Sequence, residues 1–215
     1  MNHRQPGRPM KAKPRILATA SELFLTQGLD ISLDVIATEA GTTRQTLYNH
    51  FPGKDALVLE TFGYMKEMMQ PPLNAILAEN TQDLPALLMR FAAVVQDHFF
   101  QSKNIHFQRL LIQLLQQRPE LYATLQQQES GRVLQGLVTL LQQAQQRQQL
   151  LLGNVELQAQ VFLGAVMGYS LPAALLSDEL PDKAHLQRLA TATVAIFLRA
   201  WSYQGEIPTE NDSTQ

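Results

Sequence analysis

The sequence predicts an all-α fold, with an N-terminal helix-turn-helix three-helix domain and a C-terminal antiparallel helical bundle. Three observations carry that expectation. Apolar residues recur at three- and four-residue steps, as in Ile16, Leu17, Ala20, Leu23 and Phe24, which marks amphipathic helices. No stretch alternates apolar and polar side chains as a half-buried strand does. Glycines, prolines and small capping residues interrupt the periodic runs where helices should start and stop.

The chain has 215 residues, enough to bury a core without disulfide or metal staples. It has no cysteine, which excludes disulfides, thiolate metal sites and a cysteine nucleophile, and fits a reducing compartment. The basic N-terminus lacks the apolar stretch of a secretory signal. The longest nearly apolar stretch, 161–176, contains Tyr169, Ser170 and Pro172 and is shorter than the roughly 20 residues that span a bilayer. A cytoplasmic protein with no membrane partner is therefore expected.

Net charge is −2, which by itself disfavours nucleic acid, but the charge is unevenly placed. Residues 1–57 carry seven Lys/Arg and five acids, while the remainder is acidic. Arg4, Arg8, Lys11, Lys13 and Arg15 precede the first acid and make a basic arm. Residues 1–12 are rich in Pro, Gly and basic side chains, so the arm is expected to be flexible when free. Within it Gly7-Arg8-Pro9 reads as extended chain, a form in which Arg8 can enter a narrow minor groove.

A helix follows from Pro14 to Gly28, with proline in the first turn and glycine just past the end. Ser32 is placed to cap the next helix, whose inward face is read as Val35, Ile36 and Ala40, and Gly41 to close it. Thr43 then caps a short helix, Arg44 to His50, anchored through Leu47. Its other face is polar, as major-groove reading requires, because each base pair displays a distinct donor and acceptor pattern there. Arg44 suits guanine and Gln45 adenine, while Thr46 and Tyr48 suit phosphates. Phe51-Pro52-Gly53 is a turn, and Lys54 opens a linking helix, 54–70, whose first amides and lysine suit a phosphate.

The run Ile36-Ala37-Thr38-Glu39-Ala40-Gly41-Thr42-Thr43, then Thr46-Leu47-Tyr48-Asn49-His50-Phe51 and Lys54-Asp55-Ala56-Leu57, resembles the DNA-binding region of the TetR family of bacterial regulators. The resemblance covers about residues 8–57. It implies a homodimer with an N-terminal DNA-binding domain (13–57) and a larger ligand-binding and dimerisation domain (58–204), followed by a flexible tail (205–215). Thr42, Thr43, Arg44, Gln45, Tyr48 and His50 match the family's DNA-facing positions, Ser32 a backbone-contacting helix start, and Lys54 the phosphate clamp. Thr42 replaces a small apolar residue common in the family.

Beyond residue 57 the reading rests on periodicity. Leu84 to Phe99 is a clear amphipathic helix, and further helices are expected over 105–117, 119–148, 155–177 and 182–203. The glutamines crowded between Gln108 and Gln149 alternate with leucine at helical spacing and read as a polar helix face. Neither a zinc-hydrolase His pair nor a Gly-rich phosphate loop nor a Gly-x-Ser-x-Gly elbow is present, so no catalysis, metal or cofactor is expected. His98 and His106 lie beside Phe99 and Phe107, and core histidines remain the plainer reading. As the alternative they are polar anchors of an effector pocket walled by Phe62, Met65, Met68, Met89, Met167 and Tyr169. The apolar segments 161–176 and 186–201 are the dimer-forming elements that the resemblance implies, since similar final helices form a four-helix dimer interface in that family, and Gly164 and Gly168 would admit a neighbour; a monomer core is the alternative reading.

The function expected is a ligand-responsive transcriptional regulator that binds double-stranded DNA as a dimer and is released by an unidentified small molecule; that it represses is what the family resemblance implies. The alternative is a helical ligand-binding or scaffold protein whose helix-turn-helix is only structural. The basic arm and the polar face of Arg44 to His50 weigh against it.

Overall fold

The computed structural model describes residues 11–79, 81–123, 132–177 and 179–208. Its longer helices are α1 (Ala12–Gln27), α2 (Leu33–Glu39), α3 (Arg44–His50), α4 (Lys54–Met68), α5 (Asn74–Leu77), α6 (Leu84–Phe99), α7 (Ser102–Gln117), α8 (Arg132–Gln146), α9 (Val155–Met167), α10 (Ser170–Leu176) and α11 (Lys183–Ala200). No strand occurs among the described residues. The chain is all-α, as expected. It divides into two compact units, one built from 11–69 with 106–123 and the other from the remaining described residues.

In the first unit α1 packs on α2, α3 and α4. Pro14 sits in its first turn, where a missing N–H costs nothing, and Gly28 ends it at φ +85°, a backbone state glycine adopts most cheaply. α2 turns Leu33, Ile36, Ala37 and Ala40 inward, the i, i+3, i+4, i+7 stripe of a helix. Val35 falls outside that stripe and is 43% exposed, so the expectation that it faces the core is corrected. Gly41, at φ +58°, donates to Thr38 O while Thr42 N donates to Ala37 O. That pair of bonds is a Schellman stop, which satisfies carbonyls that α2 leaves open. α3 is held by Leu47 and by Phe51 just after it, both fully buried.

Residues 106–123, which the sequence reading gave to the C-terminal region, pack with these helices. Phe107, Leu110, Leu111 and Leu114, on one face of α7, and Leu121, in the helical stretch that opens after the following turn, join the core of Ile16, Phe24, Leu47 and Leu57.

The core of the second unit is drawn from α6 (Leu88, Phe91), α8 (Leu137, Leu141), α9 (Phe162, Val166) and α11 (Val194, Leu198), with Trp201 beside Phe162. The helix expected over 155–177 is in fact two, bent by 56° at Gly168 and Tyr169. Gly168 has φ +57°, and a Cβ there would meet Leu189 Cδ2 at 2.7 Å. The open carbonyls at the end of α9 are taken by its neighbours. Buried Gln96 of α6 donates to Val166 O at 2.8 Å, and Thr193 of α11 to Ala165 O at 3.4 Å. On α8 the glutamines 135, 142, 143, 145 and 146 are exposed, a polar face as read. The part of the 119–148 pattern that covers 124–131 lies outside the described residues. No single helix among the described residues is long and apolar enough to cross a membrane.

Candidate nucleic-acid interface

Short helices need help at their ends, and α3 receives it from Thr43. The Thr43 hydroxyl accepts from Thr46 N at 3.1 Å and lies 2.9 Å from the Thr46 hydroxyl. Two of the residues expected to face DNA thus also hold the helix start. Arg44, Gln45, Tyr48 and His50 are exposed on α3, with Thr42 half-buried just before it. Gln45 Nε2 donates to Asn49 Oδ1 at 3.0 Å, one turn on. Arg44 Nη1 donates to Asp34 Oδ2 at 3.1 Å, and its guanidinium lies 5.6 Å from the Tyr48 ring centroid. Hydrogen bonding to Tyr48, then the Asp34 charge, holds the guanidinium firmly protonated.

The neighbouring elements frame this face. Ser32 is exposed and its hydroxyl accepts from Val35 N at 3.3 Å, starting α2. α4 begins after Gly53 with no side-chain cap, so its first amides and Lys54 are left to meet an anion. Asp55, beside Lys54, pairs with Arg118 at 2.8 Å, and Arg118 also binds Glu120 at 2.6 Å.

Of the five basic residues near the N-terminus, the two that follow the 1–12 arm are helical. Lys13 and Arg15 belong to α1, where Lys13 pairs with Glu60 and lies over the Phe51 ring, and Arg15 Nη2 donates to Gly41 O at 3.0 Å. The Arg15 bond ties α1 to the turn of the helix-turn-helix. Arg4 and Arg8 lie outside the described residues. Sequence reading gave no role to Asp34 or Asn49, and did not foresee the bond of Arg15 to the turn. Gln45 and Asn49 stand at i, i+4, a spacing that favours such a bond. Asp34 and Arg44 meet across a turn, and no periodicity reports that.

The proposed pocket residues fall in both units. Phe62 and Met65 are buried in the first, and the Phe62 and Phe107 rings lie 5.5 Å apart. His106 and Met68 are exposed. In the second unit Met89, Phe99 and Met167 are half-buried against the core, His98 is half-buried edge-on to Phe99, and Tyr169 is 91% exposed. Flanking Phe62 and Phe107 in sequence, Thr61 Oγ1 and Gln108 Nε2 are buried with no hydrogen-bond partner. Among the described residues no cluster of His, Asp and Glu suits a metal.

A polar, exposed helix set on a capped turn and a buried leucine defines a helix-turn-helix protein of the DNA-binding class. A family model described as bacterial regulatory proteins of the tetR family matches residues 16–61. A second, described as the C-terminal domain of AefR-like transcriptional repressors, matches 86–203, more than half of the chain. The chain belongs to the TetR family of DNA-binding transcriptional regulators. Among solved structures it resembles a putative TetR-family regulator from Mesorhizobium loti MAFF303099 (24% identity, 88% of this chain and 96% of that one, TM-score 0.79). It is similar also to the Flavonoid-responsive Regulator FrrA (25%, 88% and 96%, 0.70) and to a TetR regulator from Agrobacterium tumefaciens (20%, 93% and 95%, 0.73). No match was found among curated protein sequences.

Proposed function

We propose that this regulator is a repressor that binds a pseudo-palindromic operator as a homodimer and is released by a small-molecule effector. The observation that carries the reading is α3: a seven-residue helix whose apolar side is spent on Leu47 and whose Arg44, Gln45, Tyr48 and His50 stay exposed. One such helix reads few base pairs, so two must act together, and a two-fold protein sets them one helical turn apart. The second unit offers a surface for that purpose. Leu157, Val161 and Ile196 are 56–61% exposed on α9 and α11, and a Cβ at Gly164 would meet nothing within 4 Å. A second copy of this chain would cover that face.

The unpartnered Thr61 hydroxyl and Gln108 amide support an effector with polar groups, since buried polar atoms are seldom left unbonded. The name of the flavonoid-responsive relative supports a small-molecule signal as well. The effector must bind the DNA-free state more tightly than the DNA-bound one, or it shifts nothing. In-vitro selection on random duplexes, followed by gel-shift titration, tests the core of this reading. A palindromic site should emerge, and Arg44→Ala should lose about 1–3 kcal/mol of discrimination at one base pair. Arg8→Ala should weaken all duplexes alike and flatten the salt dependence. Equal, weak affinity for every duplex would overturn the repressor and leave a scaffold.

A further inference from the structure

Asp34 stands in the first turn of α2, and Arg44 opens α3 ten residues later, beyond the Gly41 turn. Their side chains meet at 3.1 Å while staying 57% and 64% exposed. Exposed pairs of this kind add little to folding stability. Stability therefore gives little reason for a carboxylate on a face that must approach a polyanion, where it repels every phosphate. The pair makes better sense as control over what Arg44 touches. A guanidinium has five N–H groups; Asp34 engages Nη1 and Tyr48 takes a further hydrogen bond, so donors still remain for O6 and N7 of guanine. Tyr48 backs the same guanidinium. Holding the side chain beforehand lowers the rotamer freedom lost on binding. The adjacent negative charge also cancels much of its pull toward phosphate, which is present at every sequence, and leaves its directed donors intact.

We propose that Asp34 is a positioning residue that steers Arg44 to a guanine edge and away from the DNA backbone, so that the pair sets sequence discrimination rather than overall affinity. This rests on the DNA-reading role proposed above.

The test compares full-length wild type, Asp34→Asn, Arg44→Ala and the double variant by fluorescence anisotropy. The probes are the selected operator, operators changed at single base pairs, and an unrelated duplex, each over a range of salt. Asp34→Asn should bind the unrelated duplex at least as tightly as wild type. It should lose about tenfold of discrimination at the base pair whose reading Arg44→Ala abolishes. Its salt dependence should steepen by about one counterion, as Arg44 turns to phosphate. Its melting temperature should move by no more than about 4 °C, which separates this role from a merely structural one. In the Arg44→Ala background, Asp34→Asn should change discrimination no further. Wild-type discrimination in Asp34→Asn overturns the role, as does an undiminished loss in the double variant, which would mean that Asp34 itself accepts from a cytosine. A wild type without any preferred duplex removes the DNA-reading role instead, so the two failures are distinct.

Discussion

Glu120 and Thr43 show how single side chains stiffen the reading unit. Hydrogen bonding from Arg118, then a backbone bond, lowers the Glu120 pKa below its ordinary 4.5. The folded pKa is depressed, so the stabilisation is complete above the unfolded value and is lost as pH falls through the folded one. An NMR titration of the Glu120 carboxylate should therefore have a midpoint below 4.5, rising toward it in Arg118→Ala. Thr43→Ala removes the acceptor for Thr46 N and should cost about 1 kcal/mol in urea unfolding. Both effects were unequally legible. A threonine before a short polar helix announces a cap, whereas Arg118 reaches Asp55 over 63 positions, and only the packing of α7 beside α4 brings them near.

At the scale of elements, the helices were readable where the chain marks its own ends. Ser32, Thr43, Asp83, Asn154 and Asp182 all cap helices through their side chains, and each is a residue type whose oxygen does that best. Gly28 and Gly41 take the positive φ expected at helix ends. The break at Gly168 is marked in the sequence by Tyr169, Ser170 and Pro172 just after it, but the apolar periodicity on both sides read as one continuous helix. Val35 was misplaced because a seven-residue helix has too few turns to fix its own phase. Gly168→Ala forces a left-handed alanine and displaces Leu189, and should destabilise by about 1–2 kcal/mol or more. Gly164→Ala, with nothing of its own chain within 4 Å, should leave the fold of the single protomer intact. Thermal unfolding of the two variants side by side checks the contrast.

For the whole molecule, the proposed dimer makes DNA affinity depend on protein concentration. Charges placed on the exposed apolar face, as in Val161→Arg with Ile196→Arg, should yield monomers in sedimentation velocity and weaken binding to the full palindrome much more than to a half-site. A variant that remains dimeric would place the dimer surface elsewhere. The candidate interface was legible in outline because the helix-turn-helix is a local motif, with spacing set along the chain. The residues expected to line an effector pocket fall in both units, a division that sequence spacing does not report.

The bonds from Gln96 and Thr193 to the end of α9 have a consequence for that dimer. Apolar helix faces are tolerant of sliding, since one ridge of leucines resembles the next. A donor bonded to one particular carbonyl has no such tolerance, and buried polar contacts are a known means of fixing register. Here two donors, from α6 and α11, act on consecutive carbonyls. They work as alignment pins: Leu157 and Val161 on α9 are kept in fixed stagger with Ile196 on α11. A mating surface whose parts cannot drift would present a single shape to a second copy.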